Sequence, residues 1–384
     1  MTKANPARSL PDDLLDRIAA RAPGYDAANA FCAEDLDELR AAGYLRFGVP
    51  EAQGGADLGL AATSRVQRRL AQAAPATALG LGMHQVWVQA ARAVTARGGS
   101  FLQTVTDHAS DDHLLAFGVS ESGNDAVLFD STTTAEPDGD GGYRFTGTKV
   151  FTSLAPAWDV LSVFGKDDTG PEPRLVHGFV LRSDGDVEHL DDWDTLGMRA
   201  TQSRTTRLHG VHVPADRIVR SLPVGPNQDP LVFGVFAAFE LLVASVYVGI
   251  AERALALAVD GVRGRTALDG TPRSADPDVR RAIADMRGAV DAVELQVSSL
   301  ARAVDELEDL GARWFPLLVG TKARTVDAAQ HVVDEAMRVV GGGAYRASGE
   351  LARLARDVRA GQYHPSSRDS AARTIAATVL GPLG

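Results

Sequence analysis

Asp140-Gly141-Gly142-Tyr143-Arg144-Phe145-Thr146-Gly147-Thr148-Lys149-Val150-Phe151-Thr152-Ser153 is the stretch whose reading decides the architecture. Tyr143, Phe145, Val150 and Phe151 are strand-type residues, and the glycines punctuate them as turns. A second strand pair follows, Val176 to Leu181 and Thr205 to Val213, with Leu196-Gly197-Met198-Arg199-Ala200-Thr201-Gln202-Ser203 between them. Short strands spaced by Gly and Asp turns predict a small β-barrel or sandwich over residues 114–219.

Helical patterns flank this region. Ala33 to Arg40 has acids at its start and an apolar period of three to four, and it stops at Gly43. Val49-Pro50-Glu51-Ala52-Gln53-Gly54-Gly55-Ala56 is a turn-rich break, and Ala71 to Val94 is Ala-rich with His84 beside Trp87. A Pro- and Gly-bearing linker runs from Asp216 to Asp229. Leu231 to Ala251 carries a single charge, Glu240. Its length would suit a membrane span, but its flanks lack basic clusters, and the core helix of a bundle explains it. Val279, Ile283, Met286, Val290, Val293, Val297, Leu300, Val304 and Leu307 alternate steps of four and three, the seam of a packed helix. Two further long helices are predicted over about 313–340 and 349–380, split by Gly341-Gly342-Gly343. The expectation is an α+β multidomain chain. It has an N-terminal helical domain (1–113), a central β-barrel-like domain (114–219) and a C-terminal four-helix bundle (228–384).

Composition excludes several classes. With 39 basic against 50 acidic residues the formal charge is −11, which argues against a phosphate-backbone binder. Apolar residues make up 45%, enough for a large core. Cys32 is the single cysteine, so no intrachain disulfide, multi-Cys metal site or CxxC motif is available. That fits a reducing cytoplasm, and Met1 to Asp13 contains no apolar run of the signal-peptide kind. No metal, nucleic acid or membrane partner is expected.

Six short motifs in one order resemble the acyl-CoA dehydrogenase superfamily of flavoproteins. Ala42-Gly43-Tyr44-Leu45 leading to Val49-Pro50-Glu51 and Gly54-Gly55 resembles its N-terminal pattern. Phe117-Gly118-Val119-Ser120-Glu121-Ser122-Gly123-Asn124-Asp125 resembles its flavin loop, shortened and with Ser122 for a Pro. Gly147-Thr148-Lys149-Val150-Phe151-Thr152-Ser153 is similar to its flavin-facing strand. Leu196 to Ser203 with Val211-His212-Val213-Pro214, then Val339 to Tyr345, then Arg356-Asp357 complete the set. The resemblance implies FAD, or FMN, in a homotetramer or homodimer. It places Phe117, Val119 and Ser120 along the flavin ring, and Phe151 and Ser153 at its reactive edge. Gly341 and Gly342, with Arg263 and Arg265, would serve the dinucleotide arm of a neighbouring subunit's cofactor. The usual Phe-Gly after those arginines is missing.

The family's dehydrogenases need a carboxylate base beside the substrate thioester. At the usual place, shortly after Arg356-Asp357, this chain has Pro365. Two substitutes present themselves. Glu240 lies mid-way along an apolar helix, where an unpaired carboxylate is costly. As the base it would make the protein an acyl-thioester dehydrogenase, acting on a CoA or carrier-protein substrate. Its alternative role is an ion pair with Arg253 or Arg324. His364 points instead to the superfamily's two-component monooxygenases, which use reduced flavin, oxygen and a partner reductase. There His364 and Ser153, with His84, would hold the flavin hydroperoxide. His84 and Arg199 are the remaining candidates for substrate contact. An acyl or flavin binder without turnover is the third reading. Each residue also has an ordinary packing role available, His84 above all.

Overall fold

A computed structural model describes residues 9–124 and 126–381. Most of the Met1 to Asp13 stretch lies outside the described residues, as does Asp125 of the flavin-loop motif. Five helices come first: α1 (Asp12–Ala28), α2 (Ala33–Ala41), α3 (Leu60–Ala73), α4 (Pro75–Ala96) and α5 (Gln103–Ser110). Eight strands follow: β1 (Leu115–Phe117), β2 (Thr134–Pro137), β3 (Tyr143–Thr152), β4 (Val160–Asp167), β5 (Arg174–Leu181), β6 (Val187–His189), β7 (Arg204–Val213) and β8 (Ile218–Pro223). The chain then returns to helix: α6 (Pro230–Val262), α7 (Pro277–Asp305), α8 (Trp314–Val340), α9 (Glu350–Asp357) and α10 (Arg368–Leu380).

Alternation builds the sheet. In β3, Phe145 and Lys149 are buried while Arg144, Thr146 and Thr148 face out. Strand order is β6-β7-β3-β2-β4-β5-β8, with β1 parallel to β4. The sheet curls enough that Gly178 of β5 meets Val213 of β7, which is not its hydrogen-bonded neighbour. A register shift between Lys149 and Thr152 interrupts the β3–β7 pairing. It is a bulge, which bends a strand and re-aims a side chain. Here it holds Phe151 in the left-handed region (φ +57°) and leaves it 57% exposed. β8 runs past residue 219, the expected end of the β domain.

Helix α6 is apolar on all sides because it has neighbours on all sides. It packs on α3 and α4 of the N-terminal domain and on α7 and α8 of the bundle. Its most apolar window is 83% buried, so it is the central helix of the core. The predicted seam of α7 is formed up to Val304, whereas Leu307 lies beyond the helix end with φ +57° and is partly exposed. The predicted last helix, 349–380, is two helices. Between α9 and α10 the chain makes a short turn (Val358–Gln362) and an irregular stretch through Ser367. Pro365 explains the break, since it lacks the N–H a helix needs. That break forms one wall of the site.

Candidate functional site

A cleft opens where the curled sheet faces α4, α6 and the break between α9 and α10. It has two lobes that share Ser120, Phe151, Trp193, Ser203, Tyr363 and His364. One lobe, about 680 Å³, is polar and reaches from the loop after Ser120 to Ser367, Ser370 and Arg373 on α10. The other, about 600 Å³, is walled by Leu79, Met83, Phe117, Met198, Phe239 and Val243. Both volumes lie in the roughly 300–1,000 Å³ range of ligand pockets.

The loop between β6 and β7 is fitted against α9 by a close approach. A Cβ on Gly197 would sit 2.5 Å from the Arg356 carbonyl carbon, so only glycine fits there. The next amide, Met198 N–H, donates to the Asp357 carboxylate at 2.6 Å. This anchors a chain of hydroxyls. Thr201 Oγ1 donates to the Met198 carbonyl (2.9 Å), Ser203 Oγ lies 2.7 Å from Thr201 Oγ1, and Ser153 Oγ lies 2.7 Å from Ser203 Oγ. Each hydroxyl has one proton. With Thr201 committed to a carbonyl, Ser203 donates to Thr201 and Ser153 donates to Ser203. Ser153 is left presenting lone pairs to the cleft.

His364 supplies the opposite polarity. Its Nε2 lies 2.9 Å from the Tyr247 hydroxyl. Burial pushes the Tyr247 phenol well above its usual pKa, so it keeps its proton. Among the described residues that proton has no other acceptor, so Tyr247 donates to Nε2 and the ring proton sits on Nδ1. Burial, then the Lys322 ammonium, pushes the His364 pKa down to about 3, so the ring is neutral at ordinary pH.

Ser120, Phe117, Phe151, Ser153 and His364 all line the cleft. Phe117 is stacked on Phe239 of α6, with centroids 5.6 Å apart. Other candidates lie elsewhere. Val119 is buried in the core behind the cleft and lines neither lobe. His84 is fully buried, its Nε2 2.8 Å from the Leu45 carbonyl and its Nδ1 accepting from Leu115 N–H at 3.1 Å. Both nitrogens are used by backbone, so the expectation that it contacts substrate is corrected: it ties α4 to β1. Arg199 is likewise no part of either lobe. It donates to the carbonyls of Asp26 (2.8 Å) and Thr195 (3.0 Å), clamping α1 to the loop before β7.

Glu240 is also turned away from the cleft. Phe239 and Val243 of the same helix line the apolar lobe, but Glu240 lines neither lobe: it is buried, its Oε1 accepts from Ser366 N–H (3.1 Å) and Ser366 Oγ (2.9 Å), and its Oε2 has no partner among the described residues. A one-residue step on a helix turns a side chain by about 100°. Its carboxyl pKa is raised by burial and drawn back by Lys322. Neither predicted arginine is its partner: Arg253 pairs with Glu350 and Arg324 bonds Gln296. Arg263, Arg265, Gly341 and Gly342 line neither lobe. Arg265 reaches the Val340 carbonyl at 3.1 Å, and the two glycines face open space.

Trp193, Tyr247 and Lys322 are site residues the sequence reading did not single out. Trp193 meets the Phe151 ring edge-on at 6.2 Å. Ser203 lay inside a quoted motif, so its signal was present.

The donors available suit a flavin. The aromatic pair Phe117 and Phe151 borders the shared region, Ser153 and His364 offer an acceptor and a donor there, and Ser367, Ser370 and Arg373 give the polar lobe groups for a phosphate. The loop after Ser120 is held firmly from behind. Glu121 accepts from Lys149 Nζ (2.6 Å), Ser131 Oγ (2.7 Å) and the Thr132 amide (2.7 Å). These donors hold its carboxyl well below the usual range despite burial.

Comparison with known proteins shows the family. Residues 12–98 match the acyl-CoA dehydrogenase N-terminal domain and residues 241–368 the acyl-CoA dehydrogenase C-terminal domain. L-evernosamine nitrososynthase of Micromonospora sp. is 30% identical over 96% of this chain and 88% of its own length. Dibenzothiophene monooxygenase of Rhodococcus qingshengii is 27% identical over 85% of this chain and 82% of its own. The crystal structure of KijD3 with FMN and dTDP-3-amino-2,3,6-trideoxy-4-keto-3-methyl-D-glucose superposes with a TM-score of 0.86 at 26% identity, over 97% of this chain and 92% of that one. With the fold, these relatives mark the chain as a flavin-dependent oxidoreductase. Within that class, the chain belongs to the acyl-CoA dehydrogenase superfamily, whose members include its nitrososynthase and monooxygenase relatives.

Proposed function

We propose that this protein is a flavin-dependent monooxygenase, supplied with reduced flavin by a separate reductase, and not an acyl-thioester dehydrogenase. The observation that carries the reading is the direction of Glu240. Removing a proton beside a thioester carbonyl calls for a base at the substrate face. Among the described residues no carboxylate lines the apolar lobe, and Glu240 is buried outside it with its Oε1 bonded to Ser366. The lobe is lined by neutral His364 and the hydroxyl chain ending at Ser153, with Arg356 and Arg359 also on its wall. The nitrososynthase and monooxygenase names of the relatives support the same side.

Reduced flavin, when bound, supplies the electrons that activate oxygen. The chain's own residues do the rest. Phe117, Phe151 and Ser120 would hold the ring, and Arg373 with Ser367 and Ser370 would hold the phosphate. Ser153 accepts a hydrogen bond and His364 donates one through Nδ1, so the two orient the groups between them. Leu79, Met83, Phe239 and Val243 exclude water from the reacting face, which strengthens both polar contacts. FMN fills the needs of this cleft. FAD would require Arg263, Arg265, Gly341 and Gly342 of a second copy to complete its dinucleotide arm, as in a homotetramer or homodimer.

The test supplies FMN or FAD, a flavin reductase, NADH and labelled dioxygen, with a panel of amino sugars, amines and aromatic heterocycles. The expected result is product carrying an oxygen atom from dioxygen, read by mass spectrometry. Bleaching of bound oxidised flavin by an acyl thioester under anaerobic conditions would sink the proposal.

A further inference from the structure

We propose that Lys322 and Glu240 are positioning residues that hold the 361–366 segment against the packed helices α8 and α6 and thereby aim His364 into the cleft. The inference rests on the monooxygenase reading only for its activity readouts. Lys322 is buried on α8. Its ammonium donates to the carbonyls of Gly361 (2.9 Å), His364 (2.8 Å) and Ser366 (2.9 Å). An ammonium has three donors, so these contacts saturate it. They bracket His364 at its own carbonyl and on both sides, in a stretch that has lost helical hydrogen bonding.

Glu240, buried on α6, also holds the Ser366 end of the segment. Its Oε1 accepts from both the amide and the hydroxyl of Ser366, so Ser366 is fixed through its carbonyl by α8 and through its amide by α6. The two charges also balance each other in the core: Glu240 draws the Lys322 pKa up, although burial leaves it lowered to about 8. Gly361 closes the arrangement. A Cβ there would come within 2.7 Å of Val326 and 2.9 Å of Tyr247, so the segment lies flat against both helices. Tyr247, two turns beyond Glu240 on α6, then reaches His364 Nε2. A buried ion pair adds little net stability. Its consequence here is a fixed loop that carries the cleft's histidine.

The test compares the wild type with Lys322→Met, Ser366→Ala and Lys322→Met/Glu240→Gln. Amide hydrogen exchange over 361–367 reports the segment directly and needs no turnover. Lys322→Met is expected to speed that exchange by about tenfold or more while exchange elsewhere changes little. Product formed per dioxygen consumed is expected to fall by about fivefold or more, with KM within about twofold. Ser366→Ala, which removes one of the Glu240 contacts and leaves all charges, is expected to give the same changes in smaller measure. The double variant restores charge balance but not the three carbonyl contacts. Its melting temperature is expected to recover, while exchange stays fast and coupling stays low. Wild-type protection and coupling in Lys322→Met would overturn the proposal. So would a double variant whose coupling returns together with its melting temperature. Should Lys322→Met not fold, the double variant and Ser366→Ala decide in the same terms. Should the wild type form no oxygenated product, the monooxygenase reading fails and the exchange arm alone decides the positioning role.

Discussion

Nε2 of His364 and the hydroxyl of Tyr247 lie 2.9 Å apart, joining the broken C-terminal segment to the central helix α6. The contact sets which ring nitrogen carries the proton, and with it the polarity that His364 shows the cleft. Burial lifts the phenol and lowers the imidazole, so both stay neutral through the ordinary pH range.

Tyr247→Phe therefore removes the group that fixes the tautomer while keeping the packing. The expected outcome is a fall of roughly threefold to tenfold in product formed per dioxygen consumed, with more peroxide released. Stability should drop by about 1–3 kcal/mol, since Nε2 of His364 is left without its partner. Peroxide assay and thermal melting check the two halves. Full coupling in the variant would count against a tautomer role.

His84→Leu should separate folding from chemistry. The substitution leaves the Leu115 amide and the Leu45 carbonyl buried without their partner. Each such orphan costs about 1–3 kcal/mol. The melting temperature should fall by several degrees, while KM and coupling of the folded protein stay at wild-type values. A raised KM with an unchanged melting temperature would return His84 to the substrate.

Acid should destabilise the fold well before its surface carboxylates titrate. Burial holds His84 at about 4, His177 at about 3, His189 at about 4 and His364 at about 3, against an ordinary value of 6.5. Below pH 6.5 the unfolded chain binds protons at these sites that the folded protein does not. Stability then rises with pH in this window. It is complete above pH 6.5 and is lost as pH falls toward 4. Asp357, raised to about 6 by burial, acts with the opposite sign, as do Asp35, Glu240 and Glu252; against these four acids stand five histidines, since His108 is lowered too, and their unfolded value lies inside the window while that of the acids lies below it. The melting temperature should fall between pH 7 and pH 5, and a rise over that interval would contradict the assignment.

What was legible in the sequence followed from periodicity and punctuation. The seam from Val279 to Val304 and the turn-spaced strands around Tyr143 to Thr152 carried the architecture, because each pattern has one way to bury itself. The direction of Glu240 was not legible. Along a helix surrounded on all sides, every azimuth is apolar, and only the packed neighbours decide which face meets the cleft. Lys322 was invisible for a related reason. In Thr321-Lys322-Ala323-Arg324 it reads as a surface lysine, and its partners are carbonyls, which have no signature in side-chain pattern. For His84 the packing role was the default reading, but the sequence could not separate it from a substrate contact, because a buried histidine near an aromatic looks alike whether it meets a ligand or a backbone.

Phe151 offers a case in which stability and binding should move in opposite directions. It is an aromatic residue held at φ +57° by the bulge in β3, with its ring largely exposed at the junction of the two lobes. A non-glycine residue in the left-handed region pays about 1–2 kcal/mol, which persists only where the surroundings enforce it. Glycine adopts that conformation freely, although it brings more chain entropy to the unfolded state. With little side-chain burial to lose, Phe151→Gly should leave the flavin-free protein as stable as the wild type or up to about 1 kcal/mol more stable. Flavin binding should weaken by roughly tenfold, because a ring that borders the cofactor region is gone and Trp193 loses its edge-on partner. Fluorescence titration with FMN and FAD, alongside melting curves without flavin, measures both quantities on one preparation. Loss of stability in step with loss of flavin would mean that Phe151 serves the sheet and not the cofactor.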